Sequence, residues 1–174
     1  MSAYALIRNA AIKEVAVSDP AVSADLLACN CATLRKAARR VSLLYDRFLA
    51  RSGLTIGQYA ILAEIARTGD GKAPTLTELA QELVMDRAAL SHTLKPLERD
   101  ALIRIERDRQ DRRARLVTLT ASGRARAADA RRYWIEAQGR FSKSFGPDQA
   151  MALRALLRMV TKADFGAMPA DERG

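Results

Sequence analysis

The segment Thr75–Thr120 constrains the fold of this chain more than any other part of the sequence. It begins with Thr75 and Glu78, which have the spacing of a capping box, where each side chain accepts a hydrogen bond from a backbone amide of the first helical turn. The apolar residues that follow recur at helical spacing, at Leu76, Leu79, Ala80 and Leu83. The segment therefore opens with a short helix that lies on a hydrophobic core.

A second helix is predicted after a break at Val84 and Met85. Asp86 is a favourable N-cap, because its side-chain oxygen accepts from amides one turn into the helix. One face of this helix carries Leu90, Leu94 and Leu97, and the opposite face carries Arg87, Ala88, Ser91, His92 and Lys95. Pro96 lacks an N–H and crowds the carbonyl four residues earlier, which predicts a kink or an early end.

These two helices have the order and the surface of a helix-turn-helix. In that motif, a tight turn lets the second helix present its N-terminal side chains to base edges in the major groove of DNA. For His92, a contact with a base or a phosphate is one interpretation, and an ordinary solvated helix position is the other.

After Leu102 the apolar residues alternate instead of following a helical period. Ile103 and Ile105 predict one strand, and Val117 and Leu119 predict a second strand antiparallel to it. Between residues 104 and 115, six arginines stand against three acidic residues. A hairpin of this composition can follow the DNA backbone and insert a guanidinium into a narrow minor groove, as the wing of a winged helix does.

The hairpin resembles the wing signature of MarR-type winged-helix regulators, D-x-R-[AS] followed by L-x-L-T. Here the signature reads Asp111-Arg112-Arg113-Ala114 and then Leu116-Val117-Thr118-Leu119-Thr120. The resemblance extends upstream through GLTIGQYAILAEI, TLTELAQEL and DRAALSHTLKPLERDALI, and downstream into a long helix that opens at Thr120. It covers roughly residues 29–165, which is most of the chain.

The resemblance implies a mainly α fold with a small β-hairpin wing: a winged helix-turn-helix domain with long N- and C-terminal dimerisation helices. It also implies an obligate homodimer that represses or activates transcription, with Arg113 in the minor groove and Asp111 holding it. On this hypothesis the side chains that contact the major groove of double-stranded DNA are Arg87, Ala88, Ser91, His92 and Lys95. Arg109 and Arg112 contact nearby phosphates. Asp111 would orient Arg113 through a charge-assisted hydrogen bond.

The sequence divides into three parts around this domain. Residues 1–25 form an N-terminal extension with weak periodicity, either a short helix or a mobile tail. Residues 26–166 form the MarR-type domain, with a DNA-binding core at 55–120 and dimerisation helices at 26–51 and 121–166; residues 167–174 are expected to be a flexible tail. The long helices carry more apolar surface than one small module can cover, which predicts a homodimer. In each protomer the second helix of the helix-turn-helix is the recognition helix, and the two recognition helices are expected to lie about one DNA turn apart.

The charge balance agrees with a polyanionic partner. The chain has 29 basic and 20 acidic side chains among 174 residues, a formal net charge of +9. Two alternatives remain open: a basic surface with no specific partner, and a packaging protein that binds nucleic acid regardless of sequence. Similarly, Arg35, Lys36, Arg39 and Arg40 would touch an anion or simply form a solvated face.

Several other functions are not supported by the sequence. It contains no Gly-rich phosphate loop, no nucleophile elbow and no paired carboxylates at a catalytic spacing, so neither an enzyme nor a bound cofactor is expected. His92 is the only histidine, and the Cys29–Cys31 pair lacks zinc-site spacing, so no metal site is expected. No apolar run approaches the roughly 20 residues that span a bilayer, and the N-terminus does not resemble a secretory signal, so a cytoplasmic location is expected.

Two kinds of regulation fit the resemblance. In the MarR family a small aromatic or amphipathic molecule, often an acid or a thioester, lodges between the dimer helices and the winged-helix module. Arg39, Tyr45 and Tyr59 are the candidate pocket residues here, and ordinary core packing is the alternative for them.

The second kind of regulation is thiol-based. Cys31, Tyr45 and Tyr59 are spaced fourteen residues apart, which is similar to organic-peroxide sensors of the OhrR kind. The pattern departs from those sensors where Arg35 and Ile56 replace two further tyrosines. Cys31 is therefore a candidate redox residue, and a small apolar core residue is the alternative.

Overall fold

The computed structural model of the protein describes residues 28–68 and 73–166. The predicted N-terminal extension at 1–25 and the predicted tail at 167–174 lie outside the described residues. Within the described chain, residues 28–140 belong to one compact unit and residues 141–166 belong to another.

The described chain is mainly helical and contains one β-hairpin, as the sequence predicted. In chain order, the elements are α1 (Asn30–Leu49) with a 3-10 turn at Ala50–Ser52, α2 (Ile56–Thr68), α3 (Leu76–Glu82), α4 (Arg87–Arg99), β1 (Ile103–Arg107), β2 (Arg115–Leu119), α5 (Ala121–Phe145) and α6 (Pro147–Lys162). Helices α3 and α4 with the hairpin form a helix-turn-helix followed by a wing.

Local capping determines where α3 and α4 begin. Thr75 Oγ1 accepts from the Glu78 amide at 3.1 Å, and a Glu78 carboxylate oxygen accepts from the Thr75 amide at 2.7 Å, so the predicted capping box is formed. Asp86 accepts from the Ala89 amide at 2.7 Å and starts α4. Between the helices Val84 has a φ of 51°, a left-handed conformation that turns the chain tightly.

Pro96 does not end α4, so the prediction of an early end is wrong. The helix continues to Arg99, and the Asp100 amide donates to the Pro96 carbonyl at 3.0 Å. The flanking Leu94 and Leu97 are each 1% exposed. Burial of these side chains offsets the hydrogen bond that proline cannot donate, and tertiary packing therefore holds the last turn.

The hairpin is fixed to the helical core by its register. Ile103 pairs with Leu119 and Ile105 with Val117 in an antiparallel ladder. Val117 is fully buried, and its amide donates to the Pro74 carbonyl at 2.9 Å, which ties β2 to the residues just before α3. Because one strand is anchored in this way, the polar end of the hairpin projects from a fixed base.

The N-terminal helix is joined to α5 by polar and stacking contacts. The Tyr45 hydroxyl donates to Gln138, and Arg51 forms an ion pair with Glu136 at 2.7 Å. The Arg51 guanidinium also lies 4.2 Å from the centre of the Tyr133 ring. These contacts link the two long helices of the larger unit.

In the smaller unit, Gly146 and Pro147 begin α6 as predicted. Gly146 has a φ of 97°, a conformation that favours glycine, and Pro147 occupies the first helical position. Several large apolar side chains of α6 are exposed in the single chain: Met151, Leu156, Leu157, Met159 and Val160.

The first turn of α5 lies very close to the backbone at Leu102, just after α4. A Cβ atom built on Gly123 would lie 1.8 Å from the Leu102 carbonyl oxygen. The Thr120 hydroxyl donates to the Ala101 carbonyl at 2.6 Å, and the Ser122 hydroxyl donates to the same carbonyl at 2.8 Å. The backbone of α5 can therefore reach this position only because residue 123 has no side chain.

Replacing Gly123 by Ala is expected to destabilise the protein by about 1–3 kcal/mol, because the new methyl group must displace backbone. Gly139→Ala in the same helix is the matched control, since a Cβ there meets nothing within 4 Å. That change should leave stability unchanged or raise it by up to about 1 kcal/mol through helix propensity. Denaturant unfolding at equal protein concentration would measure both, and equal effects would contradict the close-approach argument.

Candidate nucleic-acid interface

Helix α4 presents one buried face and one exposed face. Leu90, Leu94 and Leu97 are at most 1% exposed and anchor the helix. The residues predicted to meet DNA are all exposed: Arg87, Ala88, Ser91, His92 and Lys95. The Ser91 hydroxyl donates to the Arg87 carbonyl at 2.7 Å, which leaves its oxygen able to accept from a base edge.

The tip of the wing is a tight turn made by two aspartates. Asp108 accepts from the Gln110 amide at 2.9 Å, and Asp111 accepts from the Arg113 amide at 2.9 Å. The sequence hypothesis placed the Asp111 hydrogen bond on the Arg113 guanidinium. The structure instead has it on the backbone, because the two residues are only two apart within one turn.

The arginines of the tip keep their charge available to a partner. Arg109, Arg112 and Arg113 are exposed. Across the described residues, no carboxylate lies within 4.0 Å of any of these three guanidinium groups, although Arg104 at the base pairs with Glu106 at 3.6 Å. The tip therefore carries a net positive charge, and its three guanidinium groups are uncompensated by any ion pair within the described residues.

A cavity of about 370 Å³ lies beside the base of the wing, between α2, β2 and α5. It is lined by Tyr59, Ala63, Ala66, Leu119, Arg124, Ala127, Ala128 and Arg131. A neighbouring cavity of about 280 Å³ shares Ala66, Leu119 and Arg124 with it. The lining combines small apolar side chains, one phenol and two guanidinium groups.

The polar groups of this cavity are hydrogen-bond donors, and two of them carry a positive charge. Burial raises the pKa of the Tyr59 hydroxyl above its ordinary value, and the positive charge of Arg131 opposes the shift. The hydroxyl is thus a hydrogen-bond donor at neutral pH. Arg124 already donates to the Leu119 carbonyl at 2.9 Å, which holds its side chain against the strand.

Of the three predicted pocket residues, only Tyr59 lines this cavity. Tyr59 lines the cavity, but Tyr45 is buried and bonded to Gln138, and Arg39 is an exposed residue of α1. The sequence reasoning missed Arg124 and Arg131. A signal for them exists, because they lie seven residues apart on α5 with Ala127 and Ala128 between them, and so share one helix face.

The two cysteines have different surroundings. Cys29 caps α1, its Sγ accepting from the Ala32 amide at 3.4 Å, and Cys31 is exposed in the first turn. Both are free thiols. Among the residues that the structure describes, no group of three His, Cys, Asp or Glu side chains is arranged to hold a metal ion. None of the described helices is both long enough and apolar enough to cross a bilayer.

A helix-turn-helix with an exposed polar face, followed by an arginine-tipped hairpin, defines a DNA-binding protein of the winged-helix class. Residues 52–114, which cover α2, the helix-turn-helix, β1 and the wing turn, match the sequence model of the MarR family. The chain is also 31% identical over 126 residues to the transcriptional activatory protein BadR of Rhodopseudomonas palustris, covering 70% of this chain and 72% of BadR. The protein therefore belongs to the MarR family: it is a DNA-binding transcriptional regulator and not an enzyme.

Solved structures show the same fold. The M. tuberculosis regulator MosR in complex with DNA is 34% identical, with a TM-score of 0.65, and the match covers 76% of this chain and 96% of MosR. BpsR of Bordetella bronchiseptica, whose DNA binding is regulated by 6-hydroxynicotinic acid, is 26% identical with a TM-score of 0.69, covering 78% of this chain and 95% of BpsR. The predicted fold class and family resemblance are thereby confirmed.

Replacing Arg113 by Ala is expected to weaken DNA binding by about 1–3 kcal/mol and to lower the salt dependence of binding, because one uncompensated guanidinium is lost. Fluorescence anisotropy on a duplex selected by the wild-type protein from random DNA would measure both effects. Arg104→Ala is the control, since this arginine is already paired with Glu106. Wild-type affinity and salt dependence in the Arg113 variant would refute the assignment of the wing.

Proposed function

We propose that the protein is a homodimeric repressor that binds a pseudo-palindromic operator and is released by a small aromatic or acidic ligand. The observation that supports operator binding most strongly is the uncompensated arginine tip, held on the same body as the exposed face of α4. The side chains proposed for the major groove are Arg87, Ala88, Ser91, His92 and Lys95. Arg113 would enter the flanking minor groove, Arg109 and Arg112 would contact phosphates, and Asp111 would shape the turn.

A second copy of the chain is the proposed partner of the long helices. On α6, Met151 is 61% and Met159 is 68% exposed, and on α1 Leu43 is 57% exposed. Burial of such apolar area in a dimer interface contributes about 25 cal/mol of favourable free energy for each Å² removed from water. A two-fold dimer would bury it and would also place two recognition helices on successive turns of DNA.

The cavity beside the wing supports control by a ligand. Its volume of about 370 Å³ is within the range of small-molecule sites, and Arg124, Arg131 and Tyr59 provide donors for a carboxylate. Its walls come from α2, from the wing strand β2 and from α5. A ligand that binds one arrangement of these walls more tightly than another would shift the wing and the recognition helix relative to α5. The regulation of BpsR by an aromatic acid is consistent with this proposal.

Selection of bound fragments from random duplex DNA tests the proposed function directly. The regulator should enrich one pseudo-palindrome, bind it as two chains per duplex, and keep its preference when random competitor is added. A sequence-independent packaging protein would be displaced equally by any duplex. Enrichment of no sequence would therefore reject the regulator and favour the packaging alternative.

Arg131→Gln is expected to raise the concentration of aromatic acid needed to release the selected duplex, because a charge-assisted hydrogen bond to the carboxylate is lost. The probes are 6-hydroxynicotinic acid and benzoate, with anisotropy as the readout. Arg140→Gln removes an exposed charge of the same helix outside the cavity and is the control. If the acid releases the duplex from both variants at the same concentration as from the wild type, the ligand binds outside this cavity.

Thiol-based control is a second candidate, because Cys31 is an exposed thiol in the first turn of α1 beside Cys29. An organic hydroperoxide would oxidise the Cys31 thiolate to a sulfenic acid and be reduced to its alcohol. Treatment with cumene hydroperoxide should then release the selected duplex, and Cys31→Ser should abolish that response without altering DNA affinity. Indifference of the wild type to peroxide would eliminate this candidate.

A further inference from the structure

A cleft of about 520 Å³ separates the start of α2 from the outer side of α4. One wall consists of Thr55, which immediately precedes α2, and Gln58 of α2, and the other wall consists of His92, Thr93, Lys95, Pro96 and Arg99 from α4. The three nitrogen-bearing residues of the α4 wall, His92, Lys95 and Arg99, follow a spacing of three and then four residues. They therefore form one stripe along the helix.

The cleft runs along one edge of the exposed face of α4. Arg87 and Ser91 do not line it, although Lys95 lies four residues after Ser91 on the same row of the helix. His92 and Lys95 are exposed and line the cleft. These two side chains therefore border the cleft, and Arg87 and Ser91 occupy the part of the exposed face that lies outside it.

The cleft has the charge and the donors that a phosphate requires. None of its seven lining residues is acidic. The Asp100 carboxylate accepts from Arg99 Nε at 2.8 Å and so compensates part of the Arg99 charge. Lys95 has no such partner among the described residues. Lys95 is therefore the strongest anion-binding group of the stripe.

The opposite wall adds neutral donors in fixed positions. The Thr55 amide donates to Gln58 Oε1 at 3.0 Å, and the Gln58 amide donates to Thr55 Oγ1 at 3.3 Å. This reciprocal cap holds both side chains at the rim of the cleft. Because Gln58 accepts through its oxygen, its side-chain NH₂ group is left to donate outward.

We propose that this cleft receives a phosphate of the DNA backbone, with Lys95 and His92 as the principal contacts and Gln58 on the facing wall. Arg87 and Ser91 then read the bases. The inference rests on the DNA-binding function proposed above, and it reassigns His92 and Lys95 from base reading to backbone contact. Phosphate contacts fix the register of a protein on the duplex, and base contacts supply sequence preference, so the two roles have different signatures.

The test compares two duplexes of equal length, one selected by the wild-type protein and one of scrambled sequence, over a range of salt concentrations. Lys95→Gln should weaken binding to both duplexes by the same factor and lower the slope of log affinity against log salt by about 0.9. His92→Gln should likewise weaken binding to both by one factor. Arg87→Gln should instead reduce the preference for the selected duplex.

Two further variants control for charge and folding. Lys36→Gln removes an exposed lysine from α1 and should leave the salt slope unchanged. Lys95→Arg should restore the slope that Lys95→Gln loses, because a cation is returned to the cleft. A failure of Lys95→Arg to restore it would contradict a simple phosphate contact.

The failure of the inference is distinguishable from the failure of the proposed function. If Lys95→Gln abolishes the preference for the selected duplex and leaves the salt slope unchanged, Lys95 reads bases and the inference is overturned. If the wild type prefers no duplex, the regulator itself is rejected. The salt slopes on scrambled DNA would still decide whether the cleft binds phosphate.

Discussion

The contact between the first turn of α5 and the Leu102 carbonyl is the constraint on which the other parts of the structure depend. Gly123 lets the two backbones meet, and the hydroxyls of Thr120 and Ser122 donate to the adjacent Ala101 carbonyl. This junction joins the end of the recognition helix, the start of the wing and the beginning of a long helix. Packed backbones shift between discrete arrangements more readily than they deform, so a displacement of α5 would be transmitted to both α4 and the wing.

At the start of α4 and in the wing turn, the aspartates accept from backbone amides and the arginines of the tip form no ion pair among the described residues. Asp86 caps α4, and Asp108 and Asp111 accept backbone amides in the wing turn. The nearby arginines of the tip keep their full charge. A high density of arginine therefore coexists with a well-defined turn, because Asp108 and Asp111 accept from backbone amides rather than from guanidinium groups.

Local signals predicted much of this fold, and long-range packing explains the errors. The caps at Thr75 and Asp86 were predictable, because a cap involves residues three apart. The early end of α4 was wrongly predicted, because burial of Leu97 by distant residues outweighs the local effect of Pro96. The sequence grouped Tyr45 with Tyr59 as pocket residues, but only Tyr59 lines the cavity beside the wing.

The sequence by itself determined the order of elements, the buried and exposed faces of α4 and the family to which the chain belongs, because periodicity, caps and the wing motif are local patterns. Only the tertiary structure decided which residues share a cavity. Arg124 and Arg131 line one cavity with Tyr59, and Lys95 lines another with Gln58, on helices that are distant in the chain. The physical reason is that such neighbours depend on how helices pack against one another, and no spacing within a single helix encodes that geometry.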